Sequence, residues 1–304
     1  MGRQAVSVVD ILRNKSLSEY IQGVYPDDNL ELQPDGTWRC ACPLHGGKNT
    51  SSFTVFSDNR YYCYSCQKSG DIFSYVMNRE GLLFFQTLEL LADKYSLDLT
   101  KDEKYTQQKS VALLNEKLCR TFEGNLDKVY DYLTKKRGLT DNTIKLFRCG
   151  FTKNNEYDKS GFGALTIAMH DMYGRLCGFG YRFFDQKPKY INSKVNELFQ
   201  KGSYLFNVNN AMRMIPKQKC LYIVEGHIDA MSIHQMGKPC VAYCGITFTK
   251  EHVKIIKQIT ERIEGITIYL VPDNDGKADK FVERGRLLFA KHYPDANVKV
   301  VKIQ

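Results

Sequence analysis

No stretch of this chain approaches the roughly 20 consecutive apolar residues that a bilayer-crossing helix needs, so no helical membrane span is expected. The opening residues, MGRQAVSVVDILRNK, lack the basic-then-apolar order of a secretory signal. Gly2 raises N-myristoylation, but the small hydroxyl residue that modification requires at position 6 is replaced by Val6. The expected location is therefore the cytoplasm. There is no G-x4-G-K-[ST] loop, which excludes a phosphate-loop motor within these residues. Internal repeats and low-complexity tracts are absent, and only 8 prolines occur in 304 residues. With 43% hydrophobic and 25% charged residues, a buried core is expected and wholesale disorder is not. The length suits two domains, or one large domain with an appendage. In a reducing compartment, the 10 cysteines point to metal ligands and buried thiols before disulfides.

Charge is unevenly placed. Residues 125–219 hold 17 Lys or Arg against 8 Asp or Glu, a surplus of +9 that equals the net charge of the whole chain. A basic segment on a balanced frame suggests a polyanion partner, nucleic acid foremost, although a solvated surface explains the charge equally well taken alone.

The segment CACPLHGGK crowds Cys40, Cys42 and His45 into six positions, and CYSC follows with Cys63 and Cys66. Cys42-x2-His45 and Cys63-x2-Cys66 are two chelating pairs, each able to sit on one tight turn. Together they supply the tetrahedral set of a structural zinc ion, with no position left open for catalysis. Cys40, two residues before Cys42 on the same strand face, is an alternative to it. Around the pairs, FTVF, RYYCYSC and QKSGD interleave rings with basic groups. Exposed rings can stack on bases while Arg60 and Lys68 meet phosphates, or the rings can form the module's small core.

Short strand-like pieces (TWRCAC, SSFTVF, RYYCY) lie between two helical patterns, VSVVDILRNKSLSEYI and DIFSYVMNREGLLFFQTLELLADKYSL. Residues 101–124 are polar and read as a linker, helical in part or not. The last third alternates regularly: strand CLYIVEG, helix HIDAMSIHQMG stopped by Gly237, strand CVAYCG, helix TKEHVKIIKQITERI with Thr249 as N-cap, strand ITIYLVPD, helix KADKFVERGRLLFAKHY, strand ANVKVVKI. That order implies a mostly parallel sheet covered by helices, with chemistry beyond the carboxyl ends of its strands. Glu225 ends the first of these strands, and Asp273 and Asp275 end the third, with Asp229 and Asp279 nearby. Gathered on one rim, such carboxylates repel unless a hard cation neutralises them, which suits Mg²⁺ or Mn²⁺ and phosphoryl-transfer chemistry. Asp-Asn-Asp-Gly is also an ordinary turn sequence.

CPLHGGKNTSSFTVFSDNRYYCYSCQKSGDIFSYVM resembles the N-terminal zinc-binding domain of bacterial DnaG-type and phage primases. VEG with PDNDG resembles the Toprim signature, a Glu after one strand and Asp-x-Asp after another. Between them YLTKKRGLTDNTIKLFRCGF, GRLCGFGYRFF, KPKYINS and LFQKGSYLFN resemble, in order, the basic subdomain of primases. The resemblance implies zinc on Cys42, His45, Cys63 and Cys66, and a domain that helps choose where a primer starts. It implies Mg²⁺ or Mn²⁺ on Glu225, Asp273 and Asp275 as the catalytic set. It implies template or nucleotide contacts from Arg137, Arg182, Lys189, Asn192 and Lys201. The activity implied is template-directed synthesis of short RNA primers on single-stranded DNA from ribonucleoside triphosphates, beside a separate replicative helicase. The alternatives are a zinc-dependent single-strand binder with an inactive Toprim domain, or a Toprim nuclease. A topoisomerase is disfavoured, because too little chain follows Asp275 for a strand-passage gate. In bacterial relatives further acidic residues and a helical subdomain follow the point where this sequence stops. It reads as shortened or as a compact form such as a phage would encode, and whether residues beyond Gln304 complete the metal site stays open. The expected architecture is α/β, α+β overall: a small antiparallel zinc-ribbon-like domain (1–100), a linker (101–124), a basic α/β subdomain (125–219) and a Rossmann-like parallel Toprim sheet (220–304).

Overall fold

The computed structural model describes residues 7–245, 247–273 and 278–301. Residues 1–110 and 111–304 form two compact units. Among the described residues no helix is long and apolar enough to cross a membrane.

In the first unit the opening helical pattern breaks in two, α1 (Val8–Arg13) and α2 (Leu17–Val24). The break follows from Ser16, whose hydroxyl accepts the Glu19 amide at 3.2 Å and so starts a new helix. A five-stranded antiparallel sheet follows in sequential order: β1 (Glu31–Leu32), β2 (Trp38–Cys40), β3 (Phe53–Val55), β4 (Tyr61–Cys63) and β5 (Ser69–Gly70). The second helical pattern also splits, into α3 (Ile72–Glu80) and α4 (Phe84–Lys94). Gly81 takes the left-handed conformation at φ 69°, which closes α3, and Leu83 is extended ahead of α4. Phe53, Tyr61 and Tyr75 form the buried aromatic centre, with Phe53 stacked on Tyr61 at 5.2 Å and Tyr75 edge-on to Tyr61 at 5.7 Å.

The polar stretch read as a linker contains a 21-residue helix, α5 (Glu103–Glu123). Its polarity is explained by a narrow apolar contact: Cys119 and Phe122 are buried against Ala168, Leu176 and Phe179 of the second unit's antiparallel sheet. That unit continues with α6 (Asp127–Asp131), a π-helical turn (Tyr132–Lys136) and α7 (Asp141–Leu146). The sheet is β6 (Gly150–Thr152), β7 (Ala164–His170), β8 (Leu176–Phe183) and β9 (Tyr190–Asn192), in that order and antiparallel.

The last third forms as its alternation dictates. After α8 (Val208–Gln218) come β10 (Cys220–Val224), α9 (His227–Gln235), β11 (Cys240–Ala242), α10 (Lys250–Thr260), β12 (Thr267–Leu270), α11 (Ala278–His292) and β13 (Asn297–Val300). The strands pair in parallel, in the order β11-β10-β12-β13. Strand alternation divides the apolar residues between two cores. Ile223, Val241 and Ile268 face one that α8, α10 and α11 cover. Val224 and Ala242 face another, shared with α9 and with Leu165, Ile167 and Met169 of β7. The basic subdomain and the parallel sheet are therefore joined by one continuous core, which positions their side chains against each other.

Two imidazoles are buried in this unit: His227 is 2% exposed and His252 1%. Burial pushes both down to about 4, so both are neutral in the fold. An unfolded chain would protonate them below its usual histidine value near 6.5, so stability is expected to fall as pH drops from about 6.5 toward 4. Each imidazole contributes a loss of about 2 kcal/mol between pH 7 and pH 5. Imidazole NMR resonances that stay unprotonated at pH 5, together with a lower denaturation midpoint there, are the expected result. Titration of both rings near 6.5 in the folded chain would contradict it.

Candidate functional site

Four soft ligands converge in the first unit. Cys42 and His45 lie on the loop after β2, Cys63 ends β4, and Cys66 sits on the turn before β5. Their ligand atoms all lie within 4.8 Å of one another. Cys42 Sγ is 3.9 Å from Cys66 Sγ, and Cys63 Sγ is 3.9 Å from His45 Nδ1. The edge of a tetrahedron around zinc with sulfur ligands is about 3.8 Å, so the cluster has the dimensions of that ion. His45 faces the thiols through Nδ1. Its Nε2 lies against Gly47, where an added Cβ would come within 2.5 Å of it. The Cys66 amide donates to Cys63 Sγ at 3.3 Å, the kind of contact that orients a thiolate for a metal. Burial raises the Cys42 and Cys66 thiols, a cost that a bound cation reverses. Cys40, weighed above as an alternative, is not in the cluster; burial pushes its thiol up to about 12. Arg79 braces the knuckle by donating to the Pro43 carbonyl at 2.6 Å, while its guanidinium lies 4.8 Å from the Tyr25 ring centre. Of the rings near the ligands, Tyr62 is buried and Tyr64 is 61% exposed, packed edge-on at 4.9 Å.

The second unit gathers the acids. β10 and β12 are neighbours with Ile223 opposite Leu270, and the Val271 amide donates to the Ile223 carbonyl at 2.9 Å. Glu225 and Asp273 thus leave adjacent parallel strands at the same rim. Glu225 is half-buried and Asp273 exposed. Asp275 and the side chain of Asp279 lie outside the described residues. Asp229 is exposed on the first turn of α9. The Tyr243 phenol, buried between Phe248 and Phe281, feels the negative charge of Glu225 and Asp273. Burial, and then these two carboxylates, drive that phenol far above its usual value, so it stays protonated. Hard oxygen donors converging on one rim fit a hard divalent cation.

The basic residues arrive from several elements. Arg137 caps the π-helical turn and lies in electrostatic range of Asp229. Arg182, on β8, is only 8% exposed. Its Nε and Nη1 have no hydrogen-bond partner among the described residues. Rings of Tyr132 (4.3 Å), Phe184 (4.8 Å) and Tyr190 (5.7 Å) surround its guanidinium instead. Lys189 is exposed just ahead of β9, where its carbonyl accepts the Phe183 amide at 2.8 Å. Lys201 is exposed on a short 3-10 turn held to the start of α10, where the Thr249 hydroxyl donates to the Gly202 carbonyl at 2.6 Å. The Asn192 amide donates to the Cys244 carbonyl at 2.6 Å, and the Cys244 amide donates to the Glu225 carbonyl at 3.0 Å. Asn192 thereby ties β9 to the acidic rim. A second tie is steric: an added Cβ at Gly180 would lie 2.6 Å from Nε2 of the buried His227. Tyr132, which touches both Arg137 and Arg182, escapes a reading of charged motifs. Tyr132 opens the segment YLTKKRG, and that position was the available signal.

Three family descriptions match, in chain order: a CHC2 zinc finger over residues 7–107, a DNA primase catalytic core N-terminal domain over 162–212, and a Toprim-like domain over 222–304. The DNA primase of Deinococcus radiodurans is 33% identical over 287 residues, covering 81% of this chain and 49% of that protein. That of Campylobacter jejuni is 28% identical over 336 residues, covering 98% of this chain and 52% of its own length. The chain thus spans about half the length of the curated relatives it matches. The crystal structure of the zinc-binding and RNA polymerase domains of the Aquifex aeolicus primase superposes with a TM-score of 0.56 at 24% identity, covering 98% of this chain and 79% of that one. A DnaG primase catalytic domain bound to single-stranded DNA superposes with a TM-score of 0.54 at 21% identity, over 66% of this chain and 74% of that one. At these identities the structural likenesses establish the fold.

Proposed function

This chain belongs to the DnaG-type primases, and on that premise we propose that it makes short RNA primers on single-stranded DNA by metal-dependent nucleotidyl transfer. The observation that carries the reading is the meeting of Glu225 and Asp273 at the carboxyl ends of the adjacent strands β10 and β12. Asp275, two positions further along the sequence, is the third member of the set. Mg²⁺ or Mn²⁺ held there would activate a primer 3′-hydroxyl and screen the departing pyrophosphate. Arg137, Arg182, Lys189 and Lys201 hold template phosphates and the triphosphate of the incoming ribonucleotide, which are sequence-independent anion contacts. Positioning and charge neutralisation supply most of the catalysis in this kind of transfer. The zinc-bearing residues 1–100 engage the template, with the exposed Tyr64 ring available to stack on a base. Residues 125–219 form the basic subdomain and 220–304 the Toprim domain. The chain works in the cytoplasm beside a separate replicative helicase.

The test is primer synthesis on single-stranded DNA of varied sequence with labelled ribonucleoside triphosphates. Short RNA products that require added Mg²⁺ or Mn²⁺ and vanish with chelator are expected. No product from a folded, zinc-loaded chain that still binds single-stranded DNA would favour the binding-module reading.

A further inference from the structure

The two arginines described above share the ring of Tyr132. The π-helical turn closes with the Arg137 amide donating to the Tyr132 carbonyl at 3.1 Å, a bond from one residue to the fifth before it. In an α-helix the fifth residue on would sit about 140° away round the axis. The wider turn instead brings Arg137 back over its own starting residue, and such turns concentrate at functional sites. Arg137 Nε donates to the Tyr132 hydroxyl at 2.6 Å, and its guanidinium lies 5.3 Å from the ring centre. The Arg182 guanidinium lies 4.3 Å from the same ring. Phe184 meets the ring edge-on at 5.0 Å and steadies it.

Two like charges sharing one ring repel each other, and the ring's quadrupole offsets only part of that. Arg182 adds a second tension, because it is nine-tenths buried with Nε and Nη1 unpartnered among the described residues. A buried charge with unused donors is costly until an anion meets it. An oxyanion able to accept from both guanidiniums relieves the repulsion and the unmet donors together. Phosphate has the required geometry and charge.

We propose that Tyr132 is a positioning residue, whose ring and hydroxyl hold Arg137 and Arg182 side by side so that both bind one ligand phosphate. The inference leans on the primase reading only for the source of that phosphate, which is either the triphosphate of a ribonucleotide or the backbone of single-stranded DNA. Tyr132 itself touches neither.

The experiment uses the full chain with Tyr132→Phe and Tyr132→Leu. Inorganic tripolyphosphate and a single-stranded oligonucleotide serve as separate binding probes, and primer synthesis is assayed alongside. Tyr132→Phe keeps the ring and loses the hydrogen bond to Arg137, so phosphate binding should weaken about three- to tenfold. Tyr132→Leu loses both contacts and should weaken it about ten- to a hundredfold. Loss confined to tripolyphosphate, with KM for ribonucleotide raised and kcat kept, identifies the nucleotide as the source. Loss confined to the oligonucleotide identifies the template, and either result supports the role. Tyr132→Leu, folded by its melting curve and binding both probes as the wild type does, overturns it; if that variant does not fold, unchanged binding of both probes by Tyr132→Phe does so. The two readings fail separately: weakened probe binding without any primer synthesis sinks the primase reading alone, and robust synthesis with unchanged binding sinks this one alone.

Discussion

Asp273→Ala is expected to cut primer synthesis about a thousandfold while leaving zinc content, single-strand affinity and the melting curve near their wild-type values. The magnitude follows from what the side chain does in the proposed site. Glu225 and Asp273 are the described carboxylates of the set, at the ends of β10 and β12. Removing one leaves a hard cation with a single described oxygen donor at that rim, and transfer chemistry of this type depends on charge neutralisation. The fold should not notice. Asp273 is exposed, and the residues that anchor its strand, Leu270 and Val271, are buried behind it. A spectroscopic Mn²⁺ titration gives an independent readout: affinity at the rim should fall at least tenfold in the variant. Retention of more than about a tenth of the wild-type rate would move the chemistry away from this rim. Glu225→Gln should behave alike.

Much of this site was legible before any coordinates, for reasons that differ by residue. The parallel sheet followed from alternation, because apolar strands such as β10 take turns with helices, two of which carry a stop or a cap. Gly237 and Thr249 sit where they were expected, with Gly237 at φ 72° and the Thr249 hydroxyl accepting the His252 amide. The zinc set was legible because chelating pairs are local, each within four positions of chain. Adjacency of β10 and β12 was a permitted arrangement of the strands, and the sheet order supplied it. The helix boundaries in the first unit were hidden, since Ser16 and Gly81 interrupt patterns that remain apolar at helical spacing on both sides. The rings in the zinc module could not be sorted by alternation alone. Phe53 and Tyr61 went to the core and Tyr64 to solvent. Burial of Arg182 was also illegible, because a charged residue in a basic segment reads as surface. Only the convergence of Tyr132, Phe184 and Tyr190 from separate elements encloses it.

Cys63→Ser is expected to empty the zinc site and to unfold much of the first unit's sheet. A hydroxyl is a poor substitute for thiolate on this ion, and three remaining ligands leave the tetrahedron open. Zinc binding supplies on the order of 10 kcal/mol in small structural sites, comparable with the whole stability of a domain. In this unit the strands are two or three residues long, so their ladders hold few backbone bonds. The ligands instead join the loop after β2 to the end of β4 and the turn before β5, which staples the sheet across its middle. Losing the ion also leaves Cys42 buried with no charge partner. Metal content should fall from one zinc per chain to a small fraction. Trypsin should then cut at Arg39, Lys48, Arg60 or Lys68, while a fragment from the second unit persists, because its two cores contain none of these residues. Cys40→Ser is the control, since Cys40 lies outside the cluster, and it should keep its zinc. One zinc per chain in Cys63→Ser, with trypsin resistance intact, would mean that another thiol completes the set, and loss of zinc from Cys40→Ser would say which.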